Sequence, residues 1–232
     1  MLRVQIDWCL AAEVAPEILD QAQRGLEPRE RERLAALAWP GPRRDFLIGR
    51  WLLRRALARA TGRPAAGFGF EPGPHGRPQP IHAEFGPERP LPDLNLSHGG
   101  GLVVVALCDG ATVGIDGESV ARRLPARRLD RFLSAAEHAD LLAADASDRQ
   151  ERFWRLWTLK EAYLKAIGSG ITGSLGSFAI RLRDPAVPRL EGPDDAASWR
   201  IFEPALAPGF RAGLAVRPRA PVDVEVAVTR VP

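Results

Sequence analysis

The sequence predicts an α+β protein with two roughly similar halves that meet near residues 109–116. Three observations carry that prediction. Apolar residues recur at helical spacing in the runs 16–38, 43–60, 127–144 and 153–165. Short extended runs (3–10, 102–108 and 112–119) lie among the first helices, and a second group (178–182, 198–202, 210–216 and 222–228) follows the last helix as a second sheet. Proline and glycine punctuate the joins. With 232 residues, 45% of them hydrophobic, the chain can bury a proper core, as one large domain or two small ones.

Taken in order, residues 3–10 alternate in the manner of a strand. Residues 16–38 make one or two helices carrying Leu19, Leu26, Leu34 and Leu37; Pro28 suits the start of the second, and both read as scaffold. Pro40-Gly41-Pro42 breaks the chain ahead of a helix from Arg43 to Ala60, which Thr61-Gly62 ends. Residues 62–92 have no periodicity and read as loops and short extended pieces. Leu94-Asn95-Leu96 leads into a polar turn, Ser97-His98-Gly99-Gly100-Gly101, and then the apolar strand Leu102–Cys108. Thr112 to Ser119 reads as extended, with Val113, Ile115 and Gly117 on one face and Gly114, Asp116 and Glu118 on the other. Within 127–144, Ser134 and Glu137 have the spacing of an internal helix start. The helix through Phe153 and Lys165 runs out at Gly168-Ser169-Gly170.

The chain has no G-x-x-x-x-G-K-[ST] loop, G-x-G-x-x-G fingerprint, H-E-x-x-H or G-x-S-x-G, so P-loop hydrolases, Rossmann dehydrogenases, zincins and α/β-hydrolases lose support. The longest apolar run, Leu102 to Cys108, is too short to span a bilayer, and the alternating N-terminus is unlike a signal peptide; a cytoplasmic protein is expected. Cys9 and Cys108 stand singly in apolar runs, the pattern of buried free thiols. The net charge is only +3, but the basic charge is almost all arginine and unevenly placed. A guanidinium fork grips phosphate or carboxylate, which points to an anionic ligand or an acidic partner, with coding bias as the plainer source of the arginines.

Four groups of residues carry candidate chemistry. Trp154, Trp157, Glu161 and Lys165 fall on one helical stripe, where a simple i,i+4 ion pair accounts for the charges but not for the indoles. Arg43, Arg50 and Arg54 share a stripe flanked by Leu47 and Leu57, the arrangement either of a phosphate grip or of arginines snorkelling from a half-buried helix. Ser97 and His98 ahead of three glycines either present hydroxyl, imidazole and backbone N–H groups to an anion or make an ordinary turn. Asp116 and Glu118 share a strand face beside Gly114, which leaves room for a hard divalent cation; a solvated strand end is the bland alternative unless a third carboxylate joins them, and Glu161 is the candidate.

Taken together, Asn95-Leu96-Ser97-His98, Val113-Gly114-Ile115-Asp116-Gly117-Glu118, Phe132-Leu133-Ser134-Ala135-Ala136-Glu137 and Trp157-Thr158-Leu159-Lys160-Glu161-Ala162-Tyr163-Leu164-Lys165 closely resemble the Sfp-type 4'-phosphopantetheinyl transferases in order and spacing. The resemblance is strong from about residue 93 to 180 and weaker over the Arg43–Arg54 helix and Gly76-Arg77-Pro78. It implies two similar α/β lobes related by pseudo-twofold symmetry, residues 1–112 and 113–232, with the active site between them. It also implies transfer of the 4'-phosphopantetheine arm of coenzyme A to a serine hydroxyl of an apo acyl or peptidyl carrier protein, releasing 3',5'-ADP. By the same resemblance Asp116, Glu118 and Glu161 hold Mg²⁺ against the pyrophosphate, and Glu161, Lys165 and Asp116 form the catalytic set. Ser97, His98, Arg43, Arg50 or Arg54, with Lys165, hold the coenzyme A phosphates, and Gly76-Arg77-Pro78 lies beside the adenine. The implied enzyme is a monomer whose carrier partner is acidic, with no nucleic-acid or membrane role; Phe132 and Leu133 either touch the carrier or belong to the core.

Gly117 departs from the family pattern, which has a branched aliphatic residue there, so packing is lost in the strand that bears the carboxylates. That departure is the one sequence support for an alternative function, a non-catalytic module of the same fold that binds coenzyme A or a carrier protein. Gly117→Ile or Val is expected to leave activity standing.

Overall fold

Leu102–Cys108 has no polar face to offer to water, and the molecule is layered so that both of its faces are covered. The computed structural model describes residues 1–86, 88–124, 129–170, 175–183 and 186–232. In chain order the elements are β1 (Leu2–Leu10), α1 (Pro16–Arg24), α2 (Pro28–Ala35), α3 (Pro40–Thr61), β2 (Gly69–Pro72), β3 (Pro78–Ile81), β4 (Asp93–Gly99), β5 (Leu102–Cys108) and β6 (Ala111–Ser119). They continue with α4 (Ala135–Ala143), α5 (Arg149–Ile167), β7 (Ala179–Arg183), β8 (Ala186–Glu191), β9 (Arg200–Phe202), β10 (Phe210–Pro218) and β11 (Val224–Arg230). One sheet has the order β11-β1-β5-β4 and a second the order β6-β10-β9; β2 with β3 and β7 with β8 make two-stranded ribbons.

Alternation sorts each strand between layers. Val103, Val105 and Leu107 of β5 face α3 and meet Ile48, Leu52, Leu53 and Leu57. Leu102, Val104 and Ala106 face the other way, with Val4 and Ile6, and pack on Val113, Ile115, Leu214 and Val216 of the second sheet. The outer face of that second sheet is covered by α5, whose Phe153, Leu156, Leu159 and Ala162 join Ala215 and Ile201 in the core. The layers therefore run helix, sheet, sheet, helix, and each sheet has its own long helix.

Several sequence expectations change at this level. The run 16–38 is two helices, with Pro28 at the start of the second as expected. Pro40-Gly41-Pro42 does not break the chain; it is the first turn of α3, where a proline's missing N–H was going to be unpaired anyway. Ser97 and His98 lie within β4, and the turn is confined to Gly100 and Gly101, at φ +60° and +91°. Of the expected helix 127–144, residues 127 and 128 lie outside the described residues; a short 3₁₀ turn at Leu129–Arg131 precedes α4, which starts at the Ser134/Glu137 capping box. The last strand does not join the second sheet. It returns to pair in parallel with β1, Leu2 opposite Val224 and Trp8 opposite Arg230, so the second half of the chain contributes an edge to the first sheet.

Candidate active site

The two sheets meet at the edges of β4 and β6, and the join is made by side chains. Asp93, Asn95 and Ser97 point the same way along β4 and accept from the N–H groups of Val113 (2.8 Å), Ile115 (3.1 Å) and Gly117 (3.3 Å) on β6. Across β6, α5 lies close enough that a Cβ at Gly114 would run into the Ala162 carbonyl oxygen, and one at Gly213 of β10 would stand 2.5 Å from the Leu159 nitrogen. The room beside Gly114 thus belongs to the helix backbone, not to a cation, which corrects the purpose given to that glycine. The close approach brings the Asp116 face of β6 against the Glu161/Lys165 face of α5.

There Lys165 Nζ donates to Asp116 Oδ1 at 2.6 Å, to Ser97 Oγ at 2.9 Å and to the Ile115 carbonyl at 3.2 Å, and Ser97 Oγ in turn donates to Asp116 Oδ1 at 2.8 Å. Lys165 therefore turns to the strand; among the described residues it makes no ion pair with Glu161. Glu118 Oε1 is paired with Arg122 at 2.5 Å. The remaining oxygens are the telling ones: Asp116 Oδ2, Glu118 Oε2 and Glu161 Oε1 are buried and, among the described residues, have no hydrogen-bond partner. An unpartnered buried carboxylate oxygen is costly unless a cation meets it. Burial, reinforced by Asp116 and more weakly by Glu118 and opposed by Lys165, pushes the Glu161 carboxyl up to about 7. Among the described residues no three His, Cys, Asp or Glu side chains stand as a ready metal cluster, and Asp116 and Glu118 are paired with Lys165 and Arg122. The donor set of oxygens alone nevertheless fits a hard divalent cation that displaces Lys165.

A cavity of about 1010 Å³ opens from Glu161 and Lys165 past the turn His75-Gly76-Arg77-Pro78 to Arg50, His98 and α2. Of the residues expected to bind coenzyme, Arg50, Gly76, Arg77, Pro78, His98 and Lys165 line it. Arg43 does not; its guanidinium donates to the carbonyls of Leu34 and Leu37 at the end of α2. Arg54 is buried and is spent on the Phe68 carbonyl and Glu30, which also pairs with Arg50 at 2.7 Å. Ser97 lies behind the wall, on Asp116 and Lys165. His98 Nδ1 stands 3.8 Å from Asp45 on a half-exposed side chain, and partial desolvation, opposed by Asp45, lowers the imidazole pKa. Asp116 and Glu118 lie outside the lining.

Arg29 and Arg33 on α2, taken above for scaffold, also line the cavity; their spacing of four residues on one helical face was the available signal. Lys160 was not singled out either. It is fully buried in an ion pair with Glu137 at 2.5 Å and donates to the Phe178 carbonyl, tying α5 to α4 and to the entry of β7. Trp154 donates its indole N–H to the Arg122 carbonyl at 3.1 Å, and Trp157 packs edge-on against Phe132 at 4.9 Å, so the indoles of the stripe are mortar for α5. Leu133 is core. The space left by Gly117 is filled by Leu102, whose Cδ2 would be 2.7 Å from a Cβ there.

Residues 112–215 match the family described as the 4'-phosphopantetheinyl transferase superfamily. A 4'-phosphopantetheinyl transferase of Bacillus pumilus is 33% identical over 186 residues, covering 79% of this chain and 76% of that protein. The 4'-phosphopantetheinyl transferase Sfp of Bacillus subtilis is 28% identical over 200 residues, 86% of each chain. Among solved structures, the holo-[acyl-carrier-protein] synthase of Thermotoga maritima superposes on 47% of this chain and 64% of its own at a TM-score of 0.39 and 26% identity. The sequence relatives decide the assignment: the chain belongs to the 4'-phosphopantetheinyl transferase superfamily and is an enzyme of that class.

Proposed function

We propose that this cleft transfers the 4'-phosphopantetheine arm of coenzyme A to a serine hydroxyl of an apo acyl or peptidyl carrier protein. The serine oxygen forms a bond to the phosphorus that bears the pantetheine arm, the bond from that phosphorus to the diphosphate bridge breaks, and 3',5'-ADP leaves with the electron pair. The single observation that carries the reading is that, among the described residues, buried oxygens of Asp116, Glu118 and Glu161 have no hydrogen-bond partner, and that Glu161 also lines the arginine-bearing cavity. Those three residues would hold a divalent cation such as Mg²⁺, which when bound supplies neutralisation of the diphosphate charge.

The chain's own residues do the rest. Arg50, with Arg29 and Arg33, offers guanidinium forks to the coenzyme's phosphates at the far end of the cavity. Lys165, freed from Asp116, is placed to follow the charge that develops on the 5'-phosphate of the leaving 3',5'-ADP. Glu161, which of the three carboxylates is the one that lines the cavity, is the group on this face placed to accept the serine proton. Charge stabilisation and placement, without a covalent enzyme intermediate, meet the needs of this transfer.

Residues 1–112 and 113–232 are proposed as its two lobes, with the final strand crossing back. We also assign it to the cytoplasm as a monomer acting on an acidic carrier, without a nucleic-acid or membrane role. Free buried thiols suit that compartment, and among the described residues no helix is long and apolar enough to cross a membrane. The alternative of a non-catalytic binding module loses its support once Leu102 is seen to fill the space at Gly117. The test is to incubate the protein with coenzyme A, Mg²⁺ and a panel of apo carrier domains. A carrier should gain the mass of one phosphopantetheine, and Glu161→Gln should abolish the gain in a folded protein; no adduct on any carrier would overturn the reading.

A further inference from the structure

Arg77 stands on the cavity wall, yet its guanidinium is spent on the protein itself. Nη2 donates to both carboxylate oxygens of Asp93, at 2.8 and 2.9 Å, and to the carbonyls of Leu94 at 2.8 Å and Val113 at 3.1 Å. Nη1 donates to the carbonyls of Lys165 at 3.0 Å and Ala166 at 3.4 Å, and Nε to the Leu94 carbonyl at 3.2 Å. One side chain thereby joins β4, β6 and the last turn of α5. Asp93 doubles the link, since its Oδ2 also accepts from the Val113 N–H at 2.8 Å. The last carbonyls of a helix lack intrahelical partners and carry the negative end of its dipole, so a cation with several donors is the group that suits them. Only the planar, five-donor fork of arginine can serve so many acceptors at once.

We propose that Arg77, oriented by Asp93, is a positioning residue: it clamps the end of α5 to the facing edges of β4 and β6 and so sets Lys165 and Glu161 opposite Asp116. The residue whose carbonyl it holds is Lys165, whose amine reaches Asp116. The guanidinium is accordingly not a coenzyme ligand, although the backbone of Gly76-Arg77-Pro78 remains part of the wall. The inference rests on the transfer proposed above taking place in this cleft.

Arg77→Gln tests it, with Asp93→Asn as the milder change, since an asparagine can still accept from the Val113 N–H. Hydrogen exchange in the last turn of α5, Leu164 to Gly168, should accelerate by about tenfold or more as the clamp opens. At saturating coenzyme, kcat should fall by about tenfold or more, while the Kd for coenzyme A measured by calorimetry changes by less than about threefold. Arg77→Lys should not restore kcat, because an ammonium lacks the fork. Unchanged exchange in α5 would overturn the clamp. A raised Kd at unchanged kcat would make the guanidinium a ligand after all, and faster exchange with unchanged kcat would leave it structural only; either result overturns the positioning role. Exchange needs no turnover, so a wild-type protein that modifies no carrier sinks the functional reading while the clamp is still decided.

Discussion

Gly114 and Gly117 sit three residues apart on β6 and answer substitution differently. A Cβ at Gly114 meets helix backbone, the Ala162 carbonyl oxygen and the Ala166 nitrogen, which cannot yield unless α5 moves. Gly114→Ala should cost about 3 kcal/mol or more in urea unfolding and remove activity with it. A Cβ at Gly117 meets the tip of Leu102, which can turn aside. Gly117→Val should cost about 1–3 kcal/mol and leave the folded fraction active, so the sequence-based expectation of retained activity stands with a stability penalty added. Glu161 gives a pH signature. Its carboxyl rises from an ordinary 4.5 to about 7, so the native state binds that proton more tightly than the unfolded chain. The resulting stability is complete below the unfolded value and is lost as pH rises through about 7. With divalent cations chelated, the wild type should lose stability relative to Glu161→Gln across that interval; a constant difference in urea midpoints would refute the shift. The carboxylates and Lys165 were legible in the sequence because strand alternation and helical spacing are local. The bonds of Arg77 were not, because most of its acceptors are backbone carbonyls, which carry no side-chain signature.

Among the elements, α5 does the most, and what holds it is the buried pair of Lys160 and Glu137. Glu137 also accepts from the Ser134 N–H at 2.7 Å and the Ile180 N–H at 2.7 Å, so one carboxylate joins α4, α5 and β7. Lys160→Met removes the cation and leaves that charge buried. It should destabilise the protein by about 3–5 kcal/mol in urea unfolding, and a loss under 1 kcal/mol would mean the carboxylate is satisfied without it. The capping box that starts α4 was readable from Ser134 and Glu137, a local chemical pattern. The strand β8 was not, because Pro188 argues against a strand by its missing N–H, and the register shift between Arg181 and Arg183 in the partner strand accommodates it. The polar turn proposed at Ser97 failed for a related reason. Hydroxyl and imidazole favour turns only when their partners are local, and Ser97 finds Asp116, Gly117 and Lys165 across the seam.

For the whole molecule, the apolar strand Leu102–Cys108 was legible in the sequence, but the order of layers around it and the return of β11 to β1 were not. A parallel pairing between the two ends of a chain leaves no mark in local periodicity. Val231 is buried and its N–H donates to the Trp8 carbonyl at 2.8 Å, so the tail is built into the first sheet. Truncation before Asp223 should expose the edge of β1 and yield a chain that aggregates or melts well below the full-length protein; an unchanged melting temperature would show that the strand is dispensable.

The seam between β4 and β6 carries a constraint on chain length. All three bridges join residues 20 apart in sequence, Asp93 to Val113, Asn95 to Ile115 and Ser97 to Gly117. A constant interval means that the two strands run the same way and advance in step. Insertion or deletion of one residue between 97 and 113 would put every bridge out of phase and turn Asp116 and Glu118 away from α5. Surface loops usually absorb length changes at little cost, but the turns at Gly100-Gly101 and Asp109-Gly110, on either side of β5, work as a ruler that sets the distance from β4 to the carboxylates of β6.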